Sequence, residues 1–178
     1  GAKQICICDP KVLKFVDGAT VPASSATVFA AQQAAMDRRF GPHYPASNQL
    51  INGIQGAARS VEYGIEATTL NESGVSTIIN RGDGFLTWGP VTTAVDGIWK
   101  FVSVKRVADL VNESIENSFV RFNDRPQTRQ NLDLMVIAGR EALQRLENKG
   151  ILLPGSQFFL SNSLTPADGA AGIVKFGM

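Results

Sequence analysis

Histidine is nearly missing: His43 is the single imidazole in 178 residues. Nucleophilic triads need a base beside Ser or Cys, and one histidine in a Pro42-His43-Tyr44-Pro45 loop does not sit on a positioned element. Its ordinary reading is a surface loop residue. Cysteine is as scarce. Cys6 and Cys8 are the two thiols, short of the four ligands of a structural zinc site. Their i,i+2 spacing in an apolar run places both on one face of a strand, as reduced, buried core residues of a reducing compartment. Neither sign of charge is in excess, since 17 Lys and Arg against 16 Asp and Glu leave +1. Binding to a phosphate backbone rests on a basic surplus, so nucleic acid is excluded as a partner. No apolar run approaches the roughly 20 residues of a membrane helix, and Gly1-Ala2-Lys3-Gln4 opens no apolar leader-like stretch. The chain reads as cytosolic, without membrane insertion.

What is present is core-forming material, 44% hydrophobic against 19% charged, enough for one compact domain over 1–178. The most informative stretch is 74–89. Two β-rich runs, Val75 to Asn80 and Phe85 to Trp88, flank Arg81-Gly82-Asp83-Gly84, with Gly82 and Gly84 supplying the positive φ of a tight reversal. That predicts a core hairpin leading into Trp88-Gly89 and Thr92-Thr93. Trp88 and Trp99 each sit among bulky β-formers, so both are expected in the core.

Strands and helices alternate along the rest. A strand is expected at Ile5 to Cys8. Ser24 or Ser25 caps a helix over Val28 to Arg38, closed by Gly41-Pro42. Gly, Pro and Asn dominate 40–57, which reads as a packed surface loop or one ordered by a partner. A strand at Ser60 to Tyr63, a helical turn near Ala67 to Ser73 and a strand at Ile98 to Ser103 follow. Val104, Val107, Ala108, Val111, Ile115, Phe119 and Phe122 make one helical stripe. A second helix starts at Pro126, carries Leu132, Met135, Val136, Gly139, Leu143 and Leu146, and ends at Gly150. Gln157 to Leu160 and Ile173 to Phe176 are expected as closing strands. The fold class is α/β, a mixed β-sheet flanked by α-helices, with two long helices in the C-terminal half.

Catalytic signals are weak. Asp109, Glu113 and Glu116 share one helix, where a solvated face is the ordinary reading. Gly53-Ile54-Gln55-Gly56 and Gly82-Asp83-Gly84 match no phosphate-loop or dinucleotide fingerprint. Arg81-Gly82-Asp83 spells an adhesion tripeptide without a supporting context. No catalytic residue, metal or cofactor is expected. A basic series remains, Lys105, Arg106, Arg121, Arg125 and Arg129, either a solvated face or a contact.

Several short motifs occur in an order that resembles the contractile tail sheath proteins of bacteriophages, phage-tail-like bacteriocins and type VI secretion. They are Ile5 to Asp9 with Pro10, Val21-Pro22-Ala23-Ser24-Ser25, Ser47-Asn48 with Ile51-Asn52-Gly53 and Gly56, the hairpin ending in Trp88-Gly89, and Trp99-Lys100-Phe101-Val102. Lys105-Arg106-Val107-Ala108-Asp109, Asp124-Arg125-Pro126, the helix end at Leu146 to Gly150 and Ala171-Gly172-Ile173-Val174 complete the order. One departure is Pro90-Val91 after Gly89, where the family pattern has a polar residue and an arginine. The resemblance implies a structural subunit without enzymatic activity, polymerising helically around an inner tail tube. Its partners would be further sheath subunits, the tube protein and the baseplate; its place would be the virion tail, assembled in the bacterial host cytoplasm. The basic series is then the candidate contact with tube or subunits, and Trp88, Trp99, Gly82, Gly84 and Gly89 are the structural core. The resemblance also implies a main-domain fragment lacking an N-terminal region and a C-terminal arm, monomeric or a small oligomer at micromolar concentration. Rival readings are a baseplate or tail-terminating protein on a sheath-like domain, and a small α/β enzyme.

Overall fold

The computed structural model describes residues 2, 4–163, 165, 167–168 and 171–178, and its contacts gather into two units, Gly1–Val107 and Ala108–Met178. In chain order the first unit holds β1 (Ile7–Asp9), β2 (Val12–Val16), β3 (Ala19–Ala23), α1 (Ser25–Phe40), β4 (Gln49–Leu50), β5 (Gly56–Ala57), α2 (Ile65–Glu72), β6 (Val75–Asn80), β7 (Phe85–Trp88) and the start of α3 (Val102–Phe119). One sheet runs β1-β6-β7-β4 and a second β3-β2-β5. The first is mixed: β1 lies parallel to β6, while β6 pairs antiparallel with β7, and β7 with β4.

The central strand β6 is buried on both faces, which is why its sequence is a continuous run rather than an alternation. Ile78 packs with Val12, Val28, Phe29 and Ile51 on the α1 side. Its neighbour Ile79 points the opposite way, onto Val61 and Ala67 with Leu70, Leu86 and Trp88 around them. Each such isoleucine, at most 1% exposed, contributes about 1.5–3 kcal/mol of transfer free energy. Helix α1 starts where expected: the Ser24 hydroxyl accepts from the Ala26 N–H at 3.2 Å, and Gly41 closes it with φ 104°.

Several expectations are corrected. The segment 60–63 forms no strand, because the Glu62 carbonyl accepts from the Ala67 N–H at 3.2 Å and is committed to the entry of α2. The expected strand at 98–103 is a 3-10 turn, Gly97–Trp99, capped by Asp96, with α3 starting at Val102; among the described residues one bridge, Val91 to Phe101, is the β pairing there. The stretch 40–57 is not plain loop, since β4 and β5 lie within it. Cys6 is exposed and Cys8 half-buried, so the thiols are not sealed in the core, although both line one apolar cavity of about 220 Å³. Burial and the neighbouring Cys6 push the Cys8 thiol up to about 11. Strands β2 and β3 form a further antiparallel hairpin. Its turn is Asp17-Gly18, with φ 49° and 84°, the pairing of residues that a two-residue reversal between apolar strands requires. Pro22 is tolerated there because β3 is an edge strand.

The second unit holds the rest of α3, a 3-10 turn at Val120–Phe122, α4 (Arg129–Asn148), β8 (Phe159–Leu160) and β9 (Phe176–Gly177), the last two paired antiparallel. The start of α4 is set by Thr128 rather than Pro126: the Thr128 hydroxyl accepts from the Asn131 N–H at 3.2 Å. Val111 and Ile115 on α3 and Leu143 and Leu146 on α4 are buried on the stripes read from the sequence; Ala138 and Ala142, which lie outside the α4 stripe, are buried beside them, Leu132, Met135 and Val136 are half-buried, and Val104 is exposed. Phe158 and Phe176 stack at 5.2 Å, and Phe119 meets Phe158 at 5.9 Å. Gly139 faces this cluster, since a Cβ there would lie 2.3 Å from Phe158 Cδ1.

Candidate functional site

The motifs on both sides of the hairpin meet around its Trp-Gly end. Asn48 donates its backbone N–H to the Thr87 carbonyl at 2.6 Å, and the Gly89 N–H donates to the Ser47 hydroxyl at 3.2 Å. Gly89 has φ 59°, and a Cβ would fall 1.3 Å from Asn71 Oδ1, so any larger residue here would have to displace the Asn71 side chain at the end of α2. Pro90 and Val91 are buried, and the Ser76 hydroxyl both accepts from the Val91 N–H at 3.0 Å and donates to its carbonyl at 3.3 Å. The apolar pair therefore completes the core beneath the sheet. Thr92 continues the join, its hydroxyl donating to the Trp99 carbonyl at 2.7 Å.

Trp88 and Trp99 are both half-buried. Trp88 sits edge-on to Tyr63 at 5.2 Å, and Arg81 lies 4.7 Å above the same Tyr63 ring. The turn residues Arg81, Gly82 and Asp83 are exposed, with Gly82 donating to Asn80 Oδ1 at 3.0 Å; Gly84 lies against Leu50. His43 is half-buried beside Tyr44, away from both cysteines in sequence. Among the described residues no group of three or more His, Cys, Asp or Glu is placed to hold a metal. Nor, among them, is any helix long and apolar enough to cross a membrane.

The basic series divides. Lys105 is 6% exposed. Arg106 grips Asp37 with both terminal guanidinium nitrogens, Nη1 and Nη2, one on each carboxylate oxygen at 2.5 Å, and these bonds hold the Asp37 carboxyl below its ordinary range against the opposing effect of burial. No local spacing announces this pair, since it joins α1 to α3 across 69 residues of chain. Arg59 likewise bridges Asp9 at 2.5 Å and Glu66. The outward members are Arg121, over the Phe122 ring at 5.0 Å, Arg125, and Arg129, whose Nε reaches Asp133 at 3.3 Å.

The chain is 30% identical over 154 residues to the tail sheath protein of Escherichia phage P2, a stretch covering 81% of this chain and 39% of that protein. It is 34% identical over 161 residues to a prophage major tail sheath protein of Pseudomonas aeruginosa UCBPP-PA14, covering 86% and 41%. The chain is a homologue of phage tail sheath proteins. It spans about two fifths of the length of these sheath relatives. The sheath-type fold extends over the entire chain: the contracted helical sheath of the anti-feeding prophage superposes with TM-score 0.86 at 21% identity, covering 100% of this chain and 52% of that one. The contracted sheath of the PVC extracellular injection system gives 0.83 at 20%, covering 99% and 52%. No protein-family model matches the chain.

Proposed function

We propose that this chain is the folded body of a contractile tail sheath subunit, a mechanical part without chemistry of its own. The observation that carries the reading is the 34% identity over 161 residues to a protein named as a tail sheath. Subunits of this kind stack helically around an inner tube, which requires heterologous contacts that do not close on themselves. Contraction to a better-packed state then drives the tube through a cell envelope. Each subunit gains modestly, and the gain multiplies over the copies because interfaces switch between discrete arrangements.

Arg121, Arg125 and Arg129 are the members of the basic series available to an acidic tube wall, where they set register and association rate more than affinity. The test has two arms. Antibodies against this chain, applied to contractile particles from the source strain, are expected to decorate the tail along its length; label confined to one end identifies a baseplate or terminating component, and unlabelled tails refute the sheath reading. Changing the three arginines to Glu in the whole subunit, expressed with its tube protein, is expected to give sheaths empty of tube. Raising salt from about 0.05 to 1 M shortens the screening length to about 3 Å and should weaken wild-type filling as well. Filled, salt-insensitive sheaths would remove these arginines from the tube contact.

A further inference from the structure

A cavity of about 390 Å³ opens in the second unit where the end of α3, the start of α4 and the segment before β9 meet. Its floor is Phe119, Phe122, Leu132, Met135 and Phe176, and its polar wall is Arg125, Gln127 and Asn131. We propose that this cavity is a docking site for an acidic peptide segment of another protein, taking one aromatic or large aliphatic side chain as anchor and a flanking carboxylate on Arg125.

Size and chemistry carry the argument. The volume falls in the range of pockets that enclose small ligands, and the lining sets apolar side chains beside polar ones, which suits an apolar anchor with a polar flank. Burying an anchor there removes apolar surface from water on both partners. The charge at the wall selects the neighbour. Arg125 makes no ion pair among the described residues, whereas Arg129 is paired with Asp133. The adjacent acid, Asp124, does not line the cavity. The wall is also set in advance, which lowers the ordering cost of binding: Asn131 Nδ2 donates to the Pro126 carbonyl at 2.7 Å, the Thr128 N–H to the same carbonyl at 2.8 Å, and the Arg125 N–H to the Phe122 carbonyl at 3.3 Å.

The site stands on this chain's own residues, so its test on the isolated chain can fail while the sheath reading holds, and the reverse. The probe is a fluorescein-labelled peptide, Gly-Asp-Phe-Asp-Glu-Gly, titrated with the whole chain and followed by anisotropy. Saturable binding is expected. Replacing the peptide's Phe by Ala should weaken it at least tenfold, the scale of one buried aromatic. Replacing its acids by amides, or Arg125→Gln in the protein, should weaken it about threefold to fivefold at low salt, as for a partly exposed ion pair. Val174→Trp fills the cavity from a half-exposed position on its lining and should abolish binding with the circular dichroism unchanged. If that variant unfolds, the peptide substitutions and Arg125→Gln decide alone. No saturation at 1 mM, or equal binding of the Phe and Ala peptides, overturns the proposal. So does concentration-dependent dimerisation that Val174→Trp removes, because the occupant is then a second copy of this chain.

Discussion

Gly139→Ala sets two effects of comparable size against each other inside α4. Helix propensity alone favours the change by about 1 kcal/mol, since Ala is the better helix former at an interior position. Packing opposes it. The added methyl would lie 2.3 Å from Phe158 Cδ1 and 2.5 Å from Cε1, where ordinary contact needs 3.4 Å or more. The ring has little room to yield: Phe158 is 2% exposed, stacked on Phe176 at 5.2 Å, with its carbonyl held by Arg140 Nε at 2.9 Å. Overpacking of this kind costs about 1–3 kcal/mol, and a 2.3 Å approach to a held ring belongs at the upper end, so after the helix gain the net expectation is a loss of about 2 kcal/mol, or about 4–8 °C in midpoint for a chain of this length. Thermal and urea unfolding should be followed by far-UV circular dichroism, because Trp88 and Trp99 both report on the first unit. Adding Phe158→Leu should relieve the clash, giving a favourable coupling of about 1–2 kcal/mol in the double-mutant cycle. A Gly139→Ala chain as stable as wild type, or a cycle without coupling, would refute the reasoning.

Two further outcomes are expected. Asp37 has its folded pKa lowered, first by the Arg106 hydrogen bond; its contribution is therefore present at neutral pH and lost as pH falls below the ordinary carboxylate range through the lowered value. Asp37→Asn should reduce stability at pH 7 and flatten the decline toward pH 3, and an unchanged acid limb in urea titrations would contradict the clamp. Trp88 is half-buried against Tyr63 and the Ile79 cluster, so Trp88→Ala should cost about 2–4 kcal/mol, below or near the low end for a sealed aromatic. Wild-type tryptophan emission typical of full exposure would argue against that placement.

The central hairpin, α1 with its Ser24 cap, and the stripes of α3 and α4 were readable in the chain because each rests on local chemistry. Turn glycines, a capping hydroxyl and a 3.6-residue repeat act within a few positions. The Asp17-Gly18 hairpin is equally local, since a two-residue Asp-Gly turn between apolar runs is a sufficient sign of it. At 60–63 and 98–103 the sequence has β-forming composition, yet strand formation needs a partner edge, and there the backbone groups are taken by the entry to α2 and by the start of α3. The same holds for the charges. Residue types and order marked the basic series, but only the folded chain pairs Arg106 with Asp37 and buries Lys105, leaving Arg121, Arg125 and Arg129 outward. Coulombic partners are chosen by distance in space, and 69 residues of separation carry no trace of that choice in the sequence. The amino-acid order alone determined the central hairpin, α1, the stripes of the two long helices and the kinship to sheath proteins; tertiary packing decided which strands find a partner edge, which cations stay exposed, and where the cavity beside Arg125 opens.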